Sequence, residues 1–431
     1  MSTFNFSLFS PHCSTQAEII IYSTRITERL KYACDFIFKR VGSKNYMLTD
    51  NQELFLSSDK IKINYDIVPR GGCINLFSHN ILFENNLHTN YTNTSFLCNK
   101  ESFFTYDIFS EVFFHLSRYE EWVNNKTDPH GRFEHTSAAN TNHLIPQVDL
   151  HVNEFYNYVK KFYPNFVIEK KFQSILTFDL DNILAFKGKG FFRTAGALVK
   201  HLSKTEYSLI IKRVQALIGT TSDPFEFVYQ DIQKQFSDLP IIFFILCRSN
   251  TPFDRAADIT KKPTQHTIRH LSGFANIGLH PSYYSSEHPE LISKEKILLE
   301  NITGQSILAS RQHYLRMDIK TTPKHLLRNN IYYDFTMGFA SHTGFRAGTS
   351  YPFYYYDFDS ETTTSLLFIP FCIMDGAYFN YQKKSTEEAA QEILTIKKNI
   401  QDIGGYFIPL FHEITLSSLF FNNWKILLNI I

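Results

Sequence analysis

The second half of the chain alternates short, continuously apolar runs with segments of helical spacing. The runs fall at 174–180 (SILTFDL), 240–247, 275–280, 306–313, 331–336, 366–372 and 405–412. Helical patterns fill 222–238, 289–304, 322–330 and 385–405. A run that is apolar at every position suits a strand buried on both faces, and so a parallel sheet. Regular strand–helix alternation predicts an α/β fold: a deformed (β/α) barrel of about seven strands over 172–415. An open, doubly wound sheet is the structural alternative. The first half reads as a smaller α+β or α/β N-terminal domain, residues 1–168. It holds a strand and helix in 17–41, a strand at 61–68, and helices at 103–123 and 148–166. A charged connector at 167–172 marks the boundary, and 416–431 form a tail whose apolar WKILLNII docks rather than anchors.

Composition narrows this picture. The 431 residues exceed one ordinary domain. A net charge of +1 gives no electrostatic case for nucleic acid or an anionic membrane. No stretch of about 18 apolar residues predicts a membrane span. MSTFNFSLFSPHC has neither a basic n-region nor an apolar h-region, so the expectation is no signal peptide and a cytoplasmic protein. Six cysteines (Cys13, Cys34, Cys73, Cys98, Cys247, Cys372) are scattered without a CxxC pair, which suits a reducing compartment. The 42 Phe and 24 Tyr fit a Phe-rich core or rings stacked on sugars. Oligomeric state is not legible.

The candidate chemistry gathers at the ends of the apolar runs. Asp179 and Asp181 close the first, His280 the third and His412 the seventh. His313 ends the fourth, Asp334 sits in the fifth, and Asp375 follows the sixth. Barrel sites form at the C-terminal ends of strands, so these residues point to one shared site. The Asp-x-Asp spacing turns both carboxylates to one side of an extended segment. Three chemistries use such a pair. A haloacid-dehalogenase-type phosphatase needs Thr or Val where Ile183 stands, and an acidic pair downstream that is missing. A nucleotide-sugar transferase would hold a divalent ion on the carboxylates but leave the histidines idle. Metal-assisted hydrolysis employs both.

The motifs TFDLD (177–181), IGLHPS (277–282), SRQHYL (310–315), YYDFTMGF (332–339) and PLFHE (409–413) occur in the order of the NodB-homology polysaccharide deacetylases, carbohydrate esterase family four. The chain resembles this family over about 172–415. Through LSRYEEW (116–122), DPHGRF (128–133) and AFKGKGFFR (185–193) it also resembles a subgroup with an uncharacterised N-terminal domain. The resemblance implies a divalent metal, zinc first, on Asp181 and His280. Asp179 is then the general base, paired with Arg311. His412 is the general acid, oriented by Asp334. The usual motif has a second histidine where this chain has Tyr284, and His313 is the candidate replacement. Tyr284, Arg346 and Asp375 are candidate substrate contacts. The implied substrate is an N-acetylated sugar on an intracellular precursor of surface polysaccharide. The alternative of a different class is a non-catalytic carbohydrate-binding relative. The glycines and cations of 185–193 fit a solvated loop or a phosphate contact.

Overall fold

The computed structural model describes residue 9 and residues 18–39, 46–91, 96, 104, 106–124, 126–138, 142–166, 168, 170–248, 251–417, 419, 421 and 424–430. The N-terminal stretch read for a signal peptide lies, Phe9 apart, outside them, as do Cys13 and Cys98. Strands β1 (Ile19–Tyr22), β2 (Tyr46–Thr49), β3 (Ile61–Tyr65) and β4 (Ile74–Leu76) form a parallel sheet in the order β2-β1-β3-β4. Helices α1 (Glu28–Cys34) and α2 (Gln52–Ser57) connect its strands, and α3 (Ile108–Leu116), α4 (Tyr119–Val123) and α5 (Gln147–Phe162) follow. The helix expected over 103–123 breaks at Arg118, whose φ of 55° starts a new helix. In this turned conformation Arg118 reaches both Glu120 and Glu121.

The second half builds a nine-stranded sheet curled into a half-barrel, with β5 (Gln173–Ser174) and β14 (Tyr406–Phe407) pairing beside it. Its strands are β6 (Leu176–Leu180), β7 (Ile241–Leu246), β8 (Asn276–His280), β9 (Ala309–Ser310), β10 (Tyr333–Asp334), β11 (Phe353–Asp357), β12 (Thr362–Phe368), β13 (Ile373–Met374) and β15 (Pro409–His412). The order is β11-β12-β10-β9-β8-β7-β6-β15-β13, parallel except for the β11–β12 hairpin. All seven expected runs contribute a strand. The count rises to nine because β11 adds a hairpin arm and β13 a two-residue edge, and the ladder stays open between them. Along β7, Ile242 and Phe244 join Phe335, Ile408 and Leu410 inside the curl. Ile241, Phe243 and Ile245 join the larger core under the helices. Burial on both faces is why the run carries no polar alternation.

Helices α6 (Phe191–Ser203), α7 (Tyr207–Ile218), α8 (Pro224–Gln235), α9 (Lys262–Ser272), α10 (Glu290–Thr303), α11 (Thr322–Arg328) and α12 (Thr386–Ile403) intervene. Capping boxes start α8 (Asp223 with Glu226) and α12 (Ser385 with Glu388), satisfying first-turn N–H groups. Gly404 ends α12 at a φ of 77°, where a side chain would also strike Lys170.

One apolar core runs through both halves, from Ile19 to Leu428 of the C-terminal segment. Ion pairs cross the junction as well: a buried one, Arg346 with Glu121, and a half-buried one, Arg29 with Glu361. Asp149 accepts hydrogen bonds from Thr349 and Ser350. Among the described residues the four cysteines are free thiols. No helix among them is long and apolar enough to cross a membrane.

Candidate metal centre and its cleft

The strand ends converge as the sheet curls. Asp179 on β6 stands directly beside His412 on β15, and Asp181 follows one residue past β6. His280 ends β8, two strands over, and the segment after β9 delivers Arg311 and His313. Parallel register puts all of these at one edge, so contacts form between residues more than 130 positions apart.

Asp181 Oδ1 is buried and has no hydrogen-bond partner. It lies 3.4 Å from His280 Nε2 and 3.5 Å from His313 Nε2. The three candidate ligand atoms lie within 4.8 Å of one another. Each imidazole is held by its far nitrogen. His280 Nδ1 donates to the Arg311 carbonyl at 2.5 Å, and His313 Nδ1 donates to Asp254 Oδ1 at 2.9 Å. Both Nε2 atoms therefore turn to the orphaned carboxylate oxygen. Two oriented imidazoles and one unsatisfied carboxylate are the donor set of a divalent ion with open positions. Burial opposes charge on Asp181, yet His313 and His280 hold its carboxyl well below the ordinary range. Burial pulls His313 down, but Asp181 and Asp254 outweigh it and raise the imidazole to about 9.

Beside this triangle stand two further pairs. Arg311, fully buried over the Phe244 ring, donates to Asp179 Oδ1 at 2.7 Å, to Thr177 and to the Phe335 carbonyl. His412 Nδ1 lies 2.6 Å from Asp375 Oδ1, and Asp375 Oδ2 accepts the His412 backbone N–H. Burial works against the imidazolium, but Asp375 overcomes it and holds His412 well above its usual value.

The structure reassigns two carboxylates. Asp334, expected behind His412, gives its oxygens to Ser310 and Thr336. Its strand β10 is five places from β15 in the sheet. Asp375, expected at the substrate, directly follows β13, the partner of β15, and is 1% exposed. Arg346 is also removed from the cleft, because it is buried in a two-pronged pair with Glu121 at 2.6 and 2.9 Å. Tyr284 packs on Phe253 and Tyr283 and does not line the cavity.

A cavity of about 440 Å³ opens on Asp179, Asp181, His280, His313 and His412. Phe253, Tyr314, Phe379 and Tyr381 supply aromatic walls. Tyr314 and Leu315 both take positive φ (59° and 56°), strain that two consecutive side chains rarely bear and that clusters at functional sites. Arg132 enters from the first half. It bonds Asp128, the Tyr314 carbonyl and Tyr381, carried on a turn that Gly131 closes at a φ of 74°. Asp254 and Glu413 were missed in the sequence. Asp254 lies in the loop after β7, with no strand-end cue. Glu413, whose oxygens accept the Asp181 and Asn182 N–H groups, follows His412 directly.

A family of unknown function (DUF7033) matches residues 19–164. No curated protein matches the chain in sequence. Solved structures similar to it include the polysaccharide deacetylase Bc1974 from Bacillus cereus (15% identity, TM-score 0.28, 58% of this chain and 82% of that one). The Bc1960 peptidoglycan N-acetylglucosamine deacetylase is similar at 13% identity and TM-score 0.29, over 60% of this chain and 81% of its own. An allantoinase is similar at 10% identity and TM-score 0.37, over 60% and 82%.

Proposed function

We propose that this chain is a metal-dependent hydrolase that removes the acetyl group from an N-acetylated sugar, in particular on a precursor of surface polysaccharide. The observation that carries the reading is the unpartnered Asp181 oxygen facing two pre-oriented imidazoles, with a base pair and an acid pair on either side. Asp181, His280 and His313 would hold a divalent ion, zinc first, which when bound acidifies a water molecule and polarises a carbonyl. With His313 in the set, Tyr284 need not be a ligand.

The chain's own residues supply the proton transfers. Arg311 fixes Asp179 by Oδ1, which leaves Oδ2 on the cavity side to take a proton from the attacking water. Asp375 holds His412 as an imidazolium by Nδ1, so Nε2 carries the proton that the leaving amine needs. The cavity volume lies in the range of small-ligand sites, and its aromatic walls suit the apolar faces of a sugar ring.

Elemental analysis and acetate release from N-acetylglucosamine oligomers test the reading. The expected result is one divalent ion per chain, lost in Asp181→Ala and His313→Ala. His412→Ala should keep the ion and lose about 10²–10⁴ in turnover. A chain that binds these oligomers but carries no ion and releases no acetate would instead be a carbohydrate-binding protein.

A further inference from the structure

Helices α6 and α7 form a hairpin whose polarity is inverted. An ordinary surface helix turns its apolar stripe inward. Here Phe191 (80% exposed), Phe192 (88%), Val199 and Leu202 of α6 face solvent. So does a complete i, i+4, i+7, i+11 stripe on α7: Tyr207, Ile211 (56%), Val214 and Ile218 (68%). No residue of α6 is buried. Of α7, Arg213 and Ala216 are buried, with the Arg213 guanidinium 4.4 Å from the centre of the Phe186 ring. Exposed apolar patches of this extent mark interaction surfaces.

From this we infer that the α6–α7 hairpin docks the protein onto an anionic phospholipid bilayer. Charge selects that occupant. Residues 187–218 hold seven Lys and Arg against one Glu, in a chain whose net charge is only +1. Lys200, Lys204 and Lys212 are exposed and form no salt bridge among the described residues. Phe-rich apolar faces flanked by cations bind in the interfacial plane of acidic membranes. The 13 residues of α6 are too few to span a bilayer, so the hairpin lies on the surface. A second copy is a poor occupant, because a two-fold contact would set the same cations against each other.

The hairpin is tied to the site. Lys189 Nζ donates to Asn182 Oδ1 at 2.7 Å, next to Asp181. Arg193 donates to the carbonyls of Arg255 and Ala256, next to Asp254. The inference does not depend on which bond the site cuts, since its test reads vesicles and not acetate.

The test is flotation of the full chain with vesicles of phosphatidylcholine alone and of equal parts phosphatidylcholine and phosphatidylglycerol. The chain should float with the anionic vesicles only, and less so at high salt. Phe191→Ser with Phe192→Ser, and separately Ile211→Ser with Ile218→Ser, should weaken this about tenfold or more. Lys200→Glu, Lys204→Glu and Lys212→Glu together should abolish the preference for the anionic lipid. Circular dichroism and metal content unchanged from wild type would show that each variant folds. Three results overturn the inference: a wild-type chain that floats with neither vesicle, folded variants that bind like wild type, or a dimer that Phe191→Ser/Phe192→Ser splits without any vesicle binding.

Discussion

Asp254 supports the proposed metal centre without touching the ion, and Asp254→Asn isolates that support. Its side chain is fully buried. Oδ1 accepts from His313 Nδ1 at 2.9 Å and from the Tyr283 N–H at 2.9 Å, and Oδ2 accepts from Thr251 Oγ1 at 2.7 Å. Asparagine has the same shape. Its carbonyl oxygen keeps both Oδ1 contacts, while the Thr251 bond is lost, because that hydroxyl already accepts the Phe253 and Asp254 N–H groups; the unfolding control reads that local cost. At His313, what disappears is the charge on the bond. A charge-assisted hydrogen bond exceeds a neutral one by about 1–2 kcal/mol. Carried into metal affinity, that is about five- to thirtyfold. The loss overlaps the ten- to hundredfold range seen when outer carboxylates behind metal-bound histidines are removed. Competition against a chromophoric chelator measures it, with urea unfolding run in parallel to show an intact fold. Wild-type zinc affinity in a fully folded Asp254→Asn protein would refute the orienting role. Alanine is the poorer probe, because it also strands the buried Tyr283 N–H.

Three further outcomes follow. Glu121→Ala takes a carboxylate from both buried Arg346 and buried Arg118 and should cost about 3–5 kcal/mol, read from the urea midpoint; a shift below about 1 kcal/mol would deny this charge cluster a part in joining the halves. Gly278→Ala places a Cβ 2.5 Å from the Phe244 ring that carries Arg311, so it should destabilise by about 1–3 kcal/mol in thermal melts. His115 is buried with Nε2 unpartnered, and burial lowers it to about 3. A depressed histidine contributes stability that is complete above its unfolded value of about 6.5 and is lost as pH falls from there toward 3. Wild type should therefore lose more stability between pH 7 and pH 4.5 than His115→Gln does, in matched urea titrations.

The strands were legible because burial on both faces writes itself into consecutive residues. SILTFDL and PIIFFILC declare their strands without reference to anything distant. Strand polarity then places Asp179, His280 and His412 at one edge, and the Asp-x-Asp period turns Asp179 and Asp181 the same way. These are local or topological facts, and sequence carries them.

Other features depend on which strand lies beside which, or on what covers a face. Asp375 rather than Asp334 meets His412 because β13 neighbours β15, which strand spacing along the chain does not encode. Arg346 finds Glu121 from 225 positions away, so a residue expected in a ligand-binding loop becomes a buried tie between halves. Asp254 acquires its place only when its loop folds against His313. The α6–α7 hairpin was not read in the sequence at all. A net charge of +1 hid a concentrated cationic segment, and an amphipathic stripe says only that one face is apolar. Whether that face meets a core or solvent is decided by the packing of the other elements, and here they leave it uncovered.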